Sequence, residues 1–404
     1  MTTIFVVFIK YFEQIKMQLQ ILSFVTISLS CLAYVNAVPT DGLTKRAPGV
    51  IGLDVDIVQV DGPDATVQHH KRAANVVLHR PGIFYIGYFD IGSTKQQVGL
   101  AMDTGSADMW VPTPQAPSAI RDFGSYNPNI STTLKSLGRS WGGGYALSTN
   151  NQLEAEIYTD NVAFTNEYVV LADFQFGVVT ETVLTWGCGI CGIALPEDEA
   201  SRPIYPNLPQ ALKNGGFIAK NAYSLFLTSE DQSTGSFLFG GIDLDKIDGP
   251  LVPIPSADPK HLTGSLSIYL ESLGINGQTF NYSKPIVLDS GAPYSFLEES
   301  VFSNVLKSEY GWDGHSTRYG FPVVTEVPAG NLSFNLDGIT IEVPQESLIV
   351  KDNTGPDYIR LYPSTMQLLG ANFLKYAYVV YNNDERAVSI GKIKFSNTSN
   401  IVNI

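Results

Sequence analysis

At 404 residues the chain is long enough for two lobes, each with a core of its own. Its 39 acidic against 25 basic residues leave a net charge of −14, which excludes nucleic acid as a partner because phosphate binding needs a basic footprint. Few charged residues with abundant Gly, Pro, Tyr and Phe exclude a disordered chain or a helical bundle and predict an all-β protein with many turns.

The first element is a targeting segment. Leu19 to Tyr34 is apolar, Lys16 lies upstream, and Val35-Asn36-Ala37 offers small residues for cleavage. Residues 1–37 therefore read as a signal peptide, with Met17 as an alternative start. No later stretch is apolar enough to span a bilayer, and the polar tail from Ser396 to Ile404 lacks an anchor signal. The expectation is a secreted, extracellular protein with no membrane anchor. Four glycosylation sequons begin at Asn129, Asn281, Asn331 and Asn397 and agree with that route. Cys31 leaves with the signal. Cys188 and Cys191 have no second pair or His cluster to complete a zinc site, so no metal is expected. Residues three apart in a strand lie roughly 10 Å apart, too far for a disulfide, which predicts two buried free thiols.

Two dibasic pairs, Lys45-Arg46 and Lys71-Arg72, flank the compact stretch Gly49 to Gln68. In a secretory precursor this predicts a propeptide over 38–72, cut after Arg72 by a processing protease that acts at dibasic sites. The mature chain then begins at Ala73 and keeps the same net charge. From Pro81 onward short apolar runs alternate with turn residues, as in Ile83 to Ile91 and Val98 to Met102, and read as strands. Helices are few. Asn207-Leu208-Pro209 opens one that Gly215 ends, and a second starts near Glu298 with Val301, Phe302, Val305 and Leu306 on one face.

An internal repeat organises the mature chain. Leu100-Ala101-Met102-Asp103-Thr104-Gly105-Ser106 matches Ile286-Val287-Leu288-Asp289-Ser290-Gly291-Ala292. Each is followed by an apolar strand holding a glycine, Ile190-Cys191-Gly192-Ile193 and then Leu368-Leu369-Gly370-Ala371. A duplicated lobe explains this, with a first lobe over 73–248 and a second over 249–404. An Asp at the end of an apolar strand is costly to ionise without hydrogen bonds, so finding two in matching places calls for a chemical reason.

With these motifs the chain resembles the pepsin family, and within it the yeast secreted aspartic proteases of the candidapepsin type. The similarity runs through Met102 to Pro112, Ala219 to Leu225, Phe239-Gly240-Gly241, Leu288 to Gly291 and Leu369 to Leu374. It implies an all-β, bilobal pepsin-like fold, two related β-barrel lobes with a central substrate cleft, acting as a monomer on polypeptide substrates without a cofactor. It implies Asp103 and Asp289 as the catalytic pair, Thr104 and Ser290 as their support, and Gly105, Ser106 and Gly291 at the substrate. Two carboxylates about 3 Å apart at an effective dielectric near 20 repel by roughly 5 kcal/mol. They therefore share one proton in acid, as is established for aspartic protease dyads. The ionised member takes a proton from water while the protonated one donates to the scissile carbonyl.

Two positions depart from the family pattern. Ala292 stands where a Ser or Thr commonly donates to the carboxylate. In the hairpin expected to close over substrate, Ser140-Trp141-Gly142-Gly143-Gly144-Tyr145, Trp141 occupies the usual Tyr position unless a shifted register brings in Tyr145 beside Gly144. These departures keep open a catalytically weak relative that binds peptides or a protein partner. A serine hydrolase using Ser140, from the elbow-like Gly138-Arg139-Ser140-Trp141-Gly142, lacks the helix that motif needs. Gly187 to Gly192 resembles a dinucleotide loop but meets Pro196 where a helix should run. The expected function is a secreted aspartic endopeptidase that cuts extended polypeptides at acid pH.

Overall fold

The computed structural model describes residues 49–60, 65–68, 75–78, 82–145, 152–165, 168–228, 233–258, 265–351 and 355–404. The expected signal peptide, Arg72 and Ala73 lie outside these residues.

Strands dominate. In chain order the first half contributes β1 (Ile51–Val60), β2 (Ala65–Gln68), β3 (Asn75–Leu78), β4 (Gly82–Ile91), β5 (Gln96–Asp103) and β6 (Met109–Pro112). It continues with β7 (Lys135–Gly143), β8 (Leu153–Phe164), β9 (Val170–Thr182), β10 (Gly189–Gly192), β11 (Ala222–Phe226) and β12 (Thr234–Phe239). The second half supplies β13 (Ile247–Ile254), β14 (Ser267–Ile275), β15 (Gln278–Leu288), β16 (Ser295–Glu298), β17 (Asn331–Leu336) and β18 (Ile339–Pro344). It goes on to β19 (Leu361–Ser364), β20 (Leu368–Leu369), β21 (Ala377–Asn382) and β22 (Ala387–Ile393), and a short strand Ile401–Asn403 pairs with Gly241–Asp243.

A 13-stranded sheet runs β13-β22-β21-β11-β12-β1-β4-β5-β10-β6-β9-β8-β7. Within it β8 also pairs with β4, so the strands from β4 to β8 close a ring. A seven-stranded sheet, β18-β17-β14-β15-β20-β16-β19, belongs to the second half. The halves share the larger sheet where β11 meets β21, with Tyr223 opposite Tyr381. The expected seam between residues 248 and 249 lies in β13 of that same sheet.

Sequence pattern explains the burial. β8 alternates buried and exposed side chains, as a strand with one face on the core must. β5 is continuously buried from Val98 to Asp103, because β4 and β10 flank it and both its faces are covered. Both expected helices form. The first, α1 (Leu208–Asn214), has Pro in its first turn and Gly215 at its end. The second, α2 (Glu299–Glu309), is capped by Glu298, whose carboxylate accepts from Val301 N at 2.9 Å, and buries Phe302, Val305 and Leu306. Two further single turns form, one over Gln345–Leu348 and another, α3 (Ala371–Leu374), after Gly370.

Candidate active site

The repeat seen in the sequence is a repeat in space. β5 runs parallel to β10 with Asp103 opposite Gly192, and β15 runs parallel to β20 with Leu288 opposite Leu369. Each parallel pair delivers one Asp to the end of its strand. The two glycines make this possible. A Cβ on Gly192 would come within 2.6 Å of the Ala107 carbonyl carbon, and one on Gly370 within 2.6 Å of the Ala292 carbonyl oxygen. The loop that follows each Asp packs against the bare backbone of its glycine. Ala371 N donates to Ala292 O at 2.8 Å, and Gly192 N to Asp108 O at 3.1 Å.

Thr104 and Ser290 tie the two loops together reciprocally. Thr104 N donates to Ser290 Oγ at 3.1 Å and Ser290 N to Thr104 Oγ1 at 2.9 Å. Each hydroxyl then crosses to the opposite strand, Thr104 to Leu288 O at 2.9 Å and Ser290 to Met102 O at 2.7 Å. All four groups are buried, so each needs the partner it has. Below them Tyr381 donates to Leu288 O at 2.8 Å and stacks on Tyr223, which donates to Ile193 O at 2.9 Å. Sequence reasoning missed both tyrosines as supports. Their only signal was their place on strands bordering the shared apolar core.

This lattice brings Asp103 and Asp289 into hydrogen bonding with each other. Gly105 N and Gly291 N each donate at 2.8 Å to the carboxylate two residues earlier. A side chain on either glycine would collide with the opposite Asp. Beyond this the pair is asymmetric. Ser106 Oγ donates to Asp103, whereas Asp289 receives only the Ala292 N–H at 3.2 Å. Burial, then the charge of Asp103, then the hydrogen bond between the pair hold the Asp289 carboxyl well above the usual carboxylate range.

The pair opens onto a cavity of about 460 Å³. Gly105, Ser106, Trp141, Gly144, Tyr145 and Gly291 all line it. Trp141 and Tyr145 play different parts. Trp141 is buried in a small apolar cluster with Trp110 and Ala155, its ring against Gly143. Tyr145 is half-buried, accepts from Trp110 Nε1 at 2.8 Å and packs edge-on against Trp186. Tyr145 thus lines the cavity with its hydroxyl held by Trp110, packed against the apolar cluster that contains Trp141. Residues 146–151, where the hairpin turns, lie outside the described residues.

The remaining candidates stand apart. Ser140 lies inside β7, paired with Glu156 in β8, and among the described residues β8 rather than a helix follows it. Asn129, Asn281, Asn331 and Asn397 are all exposed. Cys188 and Cys191 are buried free thiols, Cys188 pushed up to about 12 by burial. No cluster of three or more potential metal ligands occurs among the described residues.

Comparison with known proteins agrees with this geometry. A family model described as eukaryotic aspartyl protease matches residues 84–393. The chain is similar to Candidapepsin-1 of Candida albicans, with 33% identity over 398 residues that cover 93% of this chain and 97% of that one. It is 31% identical to secreted aspartic protease 8 of the same species over 407 residues, covering 93% and 96%. Candidapepsin-4, also from Candida albicans, is 32% identical over 378 residues, covering 89% and 88%.

Proposed function

The chain belongs to the eukaryotic aspartyl protease family, and from that premise we propose that Asp103 and Asp289 jointly activate one water against the peptide bonds of extended polypeptides. It is an aspartic endopeptidase by membership; the residue roles are read from the site. The reciprocal Thr104–Ser290 bonds carry the proposal, because they hold two carboxyls against each other at the floor of a cavity.

One proton resides on the pair. Asp103 collects a hydroxyl and an N–H and holds the negative charge, while Asp289, with backbone donors alone, holds the proton. Asp103 takes a proton from the water, and Asp289 donates to the scissile carbonyl. A tetrahedral diol forms without a covalent intermediate. Tyr145 and Trp141 cover the reacting bond, and Gly105 and Gly291, whose bare Cα atoms admit the opposite carboxylate, present backbone to the cleft.

One relative is named a secreted aspartic protease, and the leader expected over residues 1–37 supports release of this chain too. Removal of 38–72 at Arg72 by a dibasic-site protease would yield the active monomer. Digestion of a denatured protein at about pH 4, where the pair shares one proton, tests the reading. Wild-type enzyme should cut and Asp103→Asn should not. Equal cleavage by both, or by neither, would defeat it.

A further inference from the structure

The cleft carries more acidic groups than the reaction itself uses. Asp103, Asp108, Asp198 and Asp289 line it, and among its described lining residues there is no lysine, arginine or histidine. Asp103 and Asp289 engage each other. Asp108 is buried and turned into the protein, where it accepts from Ala200 N at 2.6 Å and from the Tyr205 hydroxyl.

Asp198 differs from these three. It ends the short turn Pro196–Asp198 that directly follows the Gly192 crossing, and it is only half-buried in the cleft wall. Its side chain accepts one hydrogen bond, from Ser265 Oγ at 3.1 Å, and no lysine or arginine among the described residues pairs with it. Its neighbour Glu197 faces outward and is already bound to Arg386 at 2.6 Å. A half-desolvated carboxylate with one neutral donor has acceptor capacity left over. A cationic side chain laid in the cleft would fill it with a charge-assisted bond.

We propose that Asp198 is a specificity-determining residue that selects lysine or arginine at one substrate position flanking the scissile bond. This rests on the endopeptidase reading and adds to it a substrate class, polypeptides carrying a basic residue beside the cut.

The groups facing Asp198 set its pH dependence. Burial raises its carboxyl above the usual range, the Ser265 hydroxyl opposes this, and the charge of Asp103 adds to the rise. Glu197 and Glu199 flank it in the chain, and Asp108 and Asp289 share the cavity. Selectivity for a cation requires the ionised form, so it should be weak in strong acid and grow as pH rises.

The test uses paired peptides that carry either lysine or glutamine at one position, moved stepwise across the scissile bond. The measured quantity is the ratio of kcat/KM for each pair, in which titration of Asp103 and Asp289 cancels. At one position the secreted enzyme should prefer lysine by about tenfold near pH 6, and the preference should fade near pH 3. Asp198→Asn should abolish it and Asp198→Glu, which keeps the charge, should retain it. A purely structural tie between Asp198 and Ser265 would lower every rate alike and leave the ratios unchanged, which would overturn the inference. Failure of wild-type enzyme to cut any peptide would instead defeat the protease reading, and the inference with it.

Discussion

Ala292 is where a single side chain sets the chemistry. Ser106 gives Asp103 a hydroxyl that Asp289 does not have, since Ala292 offers only its N–H at 3.2 Å. Ala292→Ser should supply the missing donor and stabilise ionised Asp289. A hydrogen bond to a charged group contributes roughly 1.5–3 kcal/mol, which corresponds to about 1–2 pKa units. With the shared proton proposed on Asp289, the basic limb of kcat/KM should move to lower pH by about that much, and the acid limb by less. An unmoved basic limb in the variant's pH profile would contradict the assignment of charge within the pair. Ser290→Ala probes the support beneath. It leaves Thr104 N and Met102 O buried without the partner each has now, so it should cost about 1–3 kcal/mol in unfolding measurements and lower kcat as the loops part.

At the scale of elements, the glycines on the two parallel strand pairs decide whether each Asp arrives in place. Gly370→Ala would drive a Cβ into the carbonyls of Ala292 and Tyr294, which are backbone and cannot turn aside. The prediction is a loss of activity of at least about a hundredfold with a stability cost of about 2 kcal/mol or more, read from kcat and from denaturant midpoints. The sequence already marked these glycines, because a repeated apolar strand with a repeated glycine is visible without coordinates. It marked both helices as well, through Pro209, Gly215 and the face of α2. It could not show Tyr223 stacked on Tyr381 or the register of the covering hairpin. Those depend on which distant strands become neighbours, and a period of two is silent on that. The propeptide adds an element-scale question. β1 lies between β12 and β4, paired on both sides, although it falls within the expected propeptide. Amino-terminal sequencing of secreted protein should begin at or near Ala73, with no peptide from Gly49 to Gln68 remaining. Its loss would bare two strand edges inside the sheet. Asn75–Leu78, which pairs with Ala65–Gln68, would lose its strand partner as well. A secreted protein that still holds β1 would contradict the zymogen scheme.

For the whole molecule, buried carboxyls set the pH range of stability. Glu199 is 2% exposed, and burial pushes it up to about 8, with the Tyr205 N–H opposing and the charge of Asp108 reinforcing. Asp108 is raised too, again chiefly by burial. A carboxyl whose folded value exceeds its unfolded one favours the fold while it is protonated in both states. That contribution is complete below the ordinary value of 4.5 and is lost as pH climbs through about 8. For Glu199 the loss is on the order of a few kcal/mol. The net charge of −14 adds self-repulsion in the same direction. Asp160 works at the other end. Burial would raise it, but the hydroxyls of Ser131, Thr133 and Tyr126 and the Asn161 N–H hold it below the usual range. Its contribution is present above its ordinary 3.8 and fades as pH falls through its lowered folded value. Stability should therefore peak in mild acid and decline toward neutrality. Glu199→Gln keeps an acceptor for Tyr205 N and removes the ionisation. Thermal unfolding followed from about pH 5 to about pH 8 should show Tm falling by several degrees in wild type and by much less in this variant. Parallel Tm curves for the two proteins would mean that Glu199 does not set the neutral limit.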